Sequence, residues 1–300
     1  VLTPTAPLTA LGEVVAAALA EDAPWGDVTT EALLPADARA TAVLRARVDG
    51  VLAGVDAVRL AAEQAATATG GTARVEVLLA DGARFCAGDV LARIDGTARA
   101  VLRAERVALN LVQRLSGIAT LTARYVAAVE GSGTRIADTR KTTPGLRVLE
   151  KHAVRCGGGS NHRWSLSDAV MVKDNHLAVL TASGIDVTSG LRALRQRIGH
   201  TTTVVVEVDR LDQLDAVLAA DVDVVLLDNF SLADLRTGVQ RVAGRATVEA
   251  SGGITLDTVA AVAATGVDVV SVGALTQAAA ALDLGLDVEV RPDDRTGTGA

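Results

Sequence analysis

Residues 203–273 read TVVVEVDRLDQLDAVLAADVDVVLLDNFSLADLRTGVQRVAGRATVEASGGITLDTVAAVAATGVDVVSVG. Thr203–Val208 is rich in β-branched residues and is followed by Leu211–Ala219, whose apolar residues fall at helical spacing. Val222–Leu227 is the next strand-like run, with a helical Leu232–Val242 behind it. Ala246–Ala250 leads into Ser251-Gly252-Gly253 and a helical Leu256–Ala264; Val267–Val272 leads into Gly273. Strands that alternate with helices at this spacing require parallel pairing and crossover helices. Each strand delivers a polar residue or a glycine at its C-terminal end. These are Glu207, Asp228, Ser251 and Gly273, at intervals of 21, 23 and 22 residues, which puts them on one rim.

Working upstream, Arg135–Ala137 runs into Asp138-Thr139-Arg140-Lys141, and Ala169–Val172 into Lys173-Asp174-Asn175-His176. Six strands are fewer than a closed eight-stranded barrel needs, so the expected fold is an open, incomplete α/β barrel, active at its C-terminal strand ends. The first third is different. Helical Leu11–Ala20, strand-like Ala40–Val51, helical Val55–Thr69, strands Val75–Leu79 and Val90–Ile94, and a long helix Ala98–Leu115 form an α+β block. The expected division is an N-terminal α+β domain over 1–116, the barrel over 117–290, and a disordered tail over 291–300, rich in Gly, Thr, Asp and Pro.

Composition limits the function. Apolar residues make up 49% of 300, but aromatics only 2%, so Ala, Val and Leu must fill the core. No run approaches the roughly 18 apolar residues of a membrane span. The N-terminal stretch through Ala20 has no Lys or Arg to start a signal peptide. Cys86 and Cys156 form neither a disulfide framework nor a metal spacing. The expected setting is cytoplasmic, and a net charge of −7 argues against nucleic-acid or anionic-membrane partners.

Against that acidic background, all three lysines (Lys141, Lys151, Lys173) and three of the four histidines (His152, His162, His176) lie between residues 141 and 176. A solvated basic face has no reason to exclude Lys elsewhere, so the window suggests a site for a small polyanion. Ser251-Gly252-Gly253 and Val272-Gly273-Ala274 are two glycine-bearing loops in register after neighbouring strands, the usual barrel place for phosphate. Glu207 and Asp228 can hold Mg²⁺, accept hydroxyl hydrogen bonds, or cap the next helix. Arg140 and Arg163 suit carboxylates, Lys141 and Lys173 suit phosphate; His162 is either a ligand or a structural donor.

The run Ala137-Asp138-Thr139-Arg140-Lys141-Thr142-Thr143-Pro144-Gly145-Leu146-Arg147 is similar to the signature of the quinolinate phosphoribosyltransferase family. Asn161-His162-Arg163, Lys173-Asp174-Asn175-His176, Leu227-Asp228-Asn229 and Ser251-Gly252-Gly253-Ile254 resemble its later segments. The resemblance spans roughly residues 11–290. It implies an N-terminal sandwich-like domain, a seven-element open barrel and a homodimer or multiple of dimers. It further implies phosphoribosyl transfer from phosphoribosyl pyrophosphate to quinolinate, with Mg²⁺ as cofactor. It places Arg106, Arg140, His162, Arg163 and Lys173 on the quinolinate carboxylates. Thr139, Lys141, Glu207, Asp228, Ser251, Gly252, Gly253, Val272, Gly273 and Ala274 fall on the phosphoribosyl side. Lys141, Glu207 and Asp228 are the implied catalytic residues, Glu207 and Asp228 also the metal residues. The family often has a second acid where Val205 stands, and a basic residue where Gln277 stands. Competing readings are a related phosphoribosyltransferase of molybdate-transport operons, a Schiff-base aldolase using Lys141 or Lys173, and a non-catalytic sensor of phosphorylated di-acids.

Overall fold

The computed structural model describes residues 7–290; the expected tail, 291–300, lies outside them. The chain divides into two compact units. One holds the chain up to Leu121, Thr143–Gly158 and the chain from Ala278; the other holds Thr122–Thr142 and Gly159–Gln277.

In the first unit, α1 (Leu8–Asp22) and α2 (Val28–Leu33) precede β1 (Arg39–Ala46) and the short β2 (Gly50–Val51). Next come α3 (Val55–Thr69), β3 (Ala73–Val77), β4 (Arg84–Phe85), β5 (Val90–Thr97) and α4 (Ala98–Ala128). β1 alternates, burying Ala40, Ala42, Leu44 and Ala46 on one face, the pattern of a sheet with one face on a core. It pairs antiparallel with β5 and, on its other side, with β12 (Leu284–Val290), in the order β12-β1-β5-β3.

Two expectations differ here. The single strand Ala40–Val51 is two: β1 ends at Ala46, Asp49 Oδ1 accepts the Ala87 N–H at 2.8 Å, and Gly50–Val51 turns to pair with β4. The long helix does not stop at Leu115. Ser116 and Gly117 sit inside α4, because small residues are needed there for contact. A Cβ on Gly117 would lie 2.0 Å from the Ala280 carbonyl oxygen, and the Ser116 hydroxyl accepts the Ala53 N–H at 3.1 Å. Close approach offsets the roughly 1 kcal/mol that glycine costs a helix.

The compact units are not two consecutive stretches of chain divided at 116. α4 runs on past it, α5 (Arg147–Cys156) belongs to the first unit, and the last strand returns to the first sheet.

In the second unit β6 (Arg135–Ala137) is followed by β7 (Val170–Val172), α6 (Asp174–Ala182), α7 (Val187–Arg197) and β8 (Val204–Val208). Then come α8 (Leu214–Leu218), β9 (Val224–Asp228), α9 (Leu232–Val242), β10 (Thr247–Ser251), α10 (Val259–Ala263), β11 (Val269–Ser271) and α11 (Ala274–Gln277). The six strands form one parallel sheet in the order β6-β11-β10-β9-β8-β7, as the repeat predicts. The resemblance implies seven elements; beyond the six strands there is a single parallel bridge, Ser160 to Ala137 at the β6 edge. The sheet is thus open between Ser160 and β7, and the chain that spans this opening carries His162 and Arg163. Exposed aspartates set the register from below: Asp223, ahead of β9, accepts the Val204 N–H, and Asp268, ahead of β11, accepts the Val248 N–H, both at 2.7 Å.

Candidate active site

Strand pleating builds the site. Side chains two residues apart share a face, so the last two inward positions of each strand form two layers. The upper layer is Lys173, Glu207, Asp228, Ser251 and Gly273. Beneath it stand Met171, Leu226, Glu249 and Ser271. All nine line one cavity of about 660 Å³ formed by the second unit. Val205, below Glu207, is buried.

The cationic side comes from the ends of β6 and β7 and the spanning chain. Thr139, Arg140, Lys141, His162, Arg163 and Lys173 all line the cavity. Thr139 Oγ1 accepts the Lys141 N–H at 3.0 Å and turns the chain after β6. Thr276 donates to the Lys141 carbonyl at 2.7 Å and fixes the loop from the other side. The Arg140 Nε is buried with no hydrogen-bond partner among the described residues. Arg163 donates to the Ala169 carbonyl at 3.0 Å; burial, and then the like charge of Arg140, push its pKa below the ordinary guanidinium value. Two crowded guanidinium groups, one with an unsatisfied donor, favour an incoming carboxylate. A smaller recess of about 350 Å³ is lined by Arg140, Arg163, Lys173 and His176. His176 has a structural task as well: its Nδ1 accepts the Lys173 N–H at 2.9 Å at the start of α6.

The acidic side is Glu207 and Asp228. Glu207 Oε2 pairs with Lys173 Nζ at 3.0 Å, and Asp228 Oδ2 accepts from the Asn229 side-chain amide at 2.7 Å. On the glycine side, Gly252 has φ +96° and a Cβ there would lie 2.2 Å from Asn229 Oδ1. Only glycine fits that backbone. At the second loop a Cβ on Gly273 would lie 3.0 Å from Lys141 Cδ. The helix expected over Leu256–Ala264 is shorter: α10 starts only at Val259, and Thr258 Oγ1 accepts the Thr255 N–H in the turn before it. The first loop therefore offers backbone N–H groups rather than a helix terminus. Val272 is buried, and its N–H goes to the Ala137 carbonyl, so only its main chain can face a ligand. Ser251, Gly252, Gly253, Val272, Gly273 and Ala274 all line the cavity.

Every expected site residue lines this cavity except Arg106. Arg106 is exposed on α4, in the first unit. The basic window of the sequence is also split. Lys151 is fully buried in α5, and His152 Nε2 lies 2.7 Å from Asp81 Oδ2, both in the first unit. The signature run divides likewise. It reaches the cavity up to Lys141, whereas Thr143 donates its N–H and hydroxyl to the buried Glu150.

Three further residues shape the site. Asp138, fully buried, accepts the His162 N–H at 2.8 Å and the Asn161 side-chain amide at 2.6 Å, so it pins the spanning chain to β6. Asn229, at φ +59°, lies against Gly252. Glu249 lies in the cavity's lower layer. The sequence signal was present for each: Asp138 and Asn229 stand inside recognisable segments, and Glu249 interrupts an apolar strand.

Family models match nearly the whole chain: the quinolinate phosphoribosyl transferase N-terminal domain over residues 27–116 and its C-terminal domain over 118–287. The nicotinate-nucleotide pyrophosphorylase (carboxylating) of Mycobacterium leprae is 44% identical over 280 residues, 92% of this chain and 96% of that one. A probable enzyme of the same name from Synechocystis sp. is 40% identical over 90% of each chain. The solved nicotinate-nucleotide pyrophosphorylase of Francisella tularensis superposes with a TM-score of 0.88 at 36% identity, over 95% of this chain and 98% of that one. The chain belongs to the quinolinate phosphoribosyltransferase family, the enzymes that carry out the quinolinate phosphoribosyl transfer of NAD biosynthesis.

Proposed function

We propose that the second-unit cavity is where this enzyme joins quinolinate to the ribose phosphate, and that its two chemically distinct sides divide the substrates. The carrying observation is that Arg140 and Arg163 crowd one side while glycine backbone and carboxylates make the other. Arg140, Arg163 and Lys173 hold the quinolinate carboxylates, with Arg106. Thr139, Lys141 and the two glycine loops hold the phosphates. Glu207 and Asp228 accept the ribose hydroxyls.

The pyridine nitrogen donates its lone pair to the anomeric carbon as the C–O bond breaks and its electron pair leaves on pyrophosphate. Positive charge builds on the ribose ring, and Glu207 and Asp228 stabilise it. Lys141 neutralises the departing pyrophosphate. The resulting pyridinium accepts the electron pair of the C2–carboxylate bond, CO₂ leaves, and C2 takes a proton, giving nicotinate mononucleotide. The cationic side orients the ring for both steps.

Glu207 and Asp228 offer the hard oxygen donors that would hold Mg²⁺, one Glu207 oxygen being already paired with Lys173. Mg²⁺ would supply charge neutralisation there. A homodimer is supported by the apolar side chains exposed near α2, Trp25, Val28 and Leu33, and by Arg106 standing exposed on α4. A cytoplasmic setting is supported by the exposed free thiol of Cys86. A Schiff-base lysine needs an apolar pocket, and the Lys173–Glu207 pair does not provide one.

Quinolinate labelled in its 2-carboxylate tests the assignment. Wild type with phosphoribosyl pyrophosphate releases the label as CO₂ in step with nicotinate mononucleotide, and Arg140→Ala, folded by circular dichroism, raises the quinolinate KM at least roughly tenfold. An unchanged KM removes Arg140 from the site.

A further inference from the structure

Glu249 is the only ionisable residue among the four lower-layer residues that line the cavity. Its side chain is 5% exposed, and its Oε2 lies 3.3 Å from His162 Nε2. Its other oxygen, Oε1, is buried without a hydrogen-bond partner among the described residues. A buried carboxylate left half satisfied does not stabilise a fold; an apolar residue of similar size serves the strand as well or better. Its neighbours in register on the two flanking strands, Leu226 and Val269, are apolar and offer it no side-chain partner.

The partner of Glu249 is held on all sides. The His162 N–H goes to Asp138 Oδ1 at 2.8 Å. Its ring Nδ1 accepts the Arg163 N–H at 2.7 Å. A nitrogen that accepts from an amide carries no proton, so the ring proton sits on Nε2, the atom facing Glu249. The same contact fixes the backbone of Arg163, whose guanidinium is tied only to the Ala169 carbonyl among the hydrogen bonds described.

We infer that Glu249 is a positioning residue: it holds His162 in the neutral Nε2–H tautomer, and through the His162 Nδ1 contact sets the Arg163 backbone that aims the guanidinium into the cavity. The inference rests, for its effect on substrate, on the reading that Arg163 binds a quinolinate carboxylate. It gives His162 the part of a structural donor whose fixed ring holds Arg163, instead of a group on the quinolinate carboxylates.

The test joins nitrogen NMR of the ring of His162 to kinetics of Glu249→Leu and Glu249→Gln in the full-length enzyme. Wild type shows Nε2 protonated and Nδ1 unprotonated at neutral pH. Glu249→Leu mixes the tautomers and raises the quinolinate KM roughly tenfold, with kcat changed less than threefold and the melting temperature unchanged or raised. Glu249→Gln, whose amide oxygen still accepts from Nε2, keeps the wild-type signature and KM. An Nδ1-protonated or doubly protonated ring in wild type overturns the inference, as does a Glu249→Leu enzyme with unaltered ring signals. If Glu249→Leu does not fold, the wild-type ring spectrum and the Glu249→Gln values decide. Altered ring signals with an unchanged KM would support the tautomer lock and count instead against Arg163 as a quinolinate ligand.

Discussion

Lys173 and Glu207 are ion-paired at 3.0 Å across the ends of β7 and β8. The assignment gives them to different substrates, so in the free enzyme each occupies the other's ligand position. Removing Glu207 should release Lys173 for the di-acid. Glu207→Gln is expected to bind quinolinate alone as tightly as wild type or more tightly, by calorimetry, while kcat with both substrates falls roughly 10²-fold. Weakened quinolinate binding in this variant would show that the pair orients Lys173 rather than restraining it.

Lys141 and Lys151 are ten residues apart in one basic window, yet they sit in different units. Lys141 lies over Gly273 in the cavity wall; Lys151 is fully buried in α5. Lys141→Ala should lower kcat by about 10²-fold with its melting temperature unchanged. Lys151→Ala should lose about 3 kcal/mol of stability, and any folded fraction should keep its turnover. Equal kinetic loss in two equally stable variants would sink the separation.

Asp81 carries a pH-dependent share of stability. Burial raises its pKa, but the hydrogen bond from His152 and those from the Val55 and Gly54 N–H groups outweigh it, and the net shift is downward. A depressed carboxyl stabilises the fold above the unfolded pKa of about 3.9 and loses that contribution as pH falls through the lower folded value. Asp81→Asn should cost about 3 kcal/mol at pH 7, and the gap to wild type should shrink below about pH 4. A gap that stays constant from pH 7 to pH 3 in urea melts contradicts this. Cys156, 3.4 Å from His152, has its thiol pKa pushed up by burial and then by Asp81, so it stays a neutral part of this cluster.

Arg106 tests the proposed dimer. If it serves the partner's cavity, mixing inactive Arg106→Ala and Lys141→Ala chains after reversible dissociation gives mixed dimers with one intact site each. Random re-pairing makes about half the dimers mixed, so activity returns to about a quarter of wild type. Verified subunit exchange with no recovery would place Arg106 in its own chain's site or in none.

The rim was legible in the sequence because a parallel βα repeat puts chemistry at fixed chain intervals: Glu207, Asp228, Ser251 and Gly273 fall at strand ends whatever the rest of the molecule does. Long-range pairing was not. Nothing local to Leu284–Val290 says that it joins Arg39–Ala46 at the other end of the chain. Gly117 read as a stop because a helix-breaking residue and a close-contact residue look alike until the Ala280 carbonyl is in place. The basic window read as one site because charge spacing carries no burial, and burial is what separates Lys151 from Lys141. The part of His162, ligand or structural donor, stayed open because its ring contacts are with Arg163 and Glu249, and Glu249 stands 87 positions away in the chain.

The central claim is that the cationic wall is built for two carboxylates. Nicotinate offers one, and would leave the half-buried guanidinium of Arg140 or Arg163 without its charged partner, at a cost of about 3 kcal/mol. The direct measurement is kcat/KM for quinolinate and for nicotinate, each with saturating phosphoribosyl pyrophosphate, on the same enzyme. The account predicts a preference for quinolinate of at least roughly 10², lost in large part in Arg163→Ala. Equal turnover of the two acids by the wild-type enzyme would contradict it.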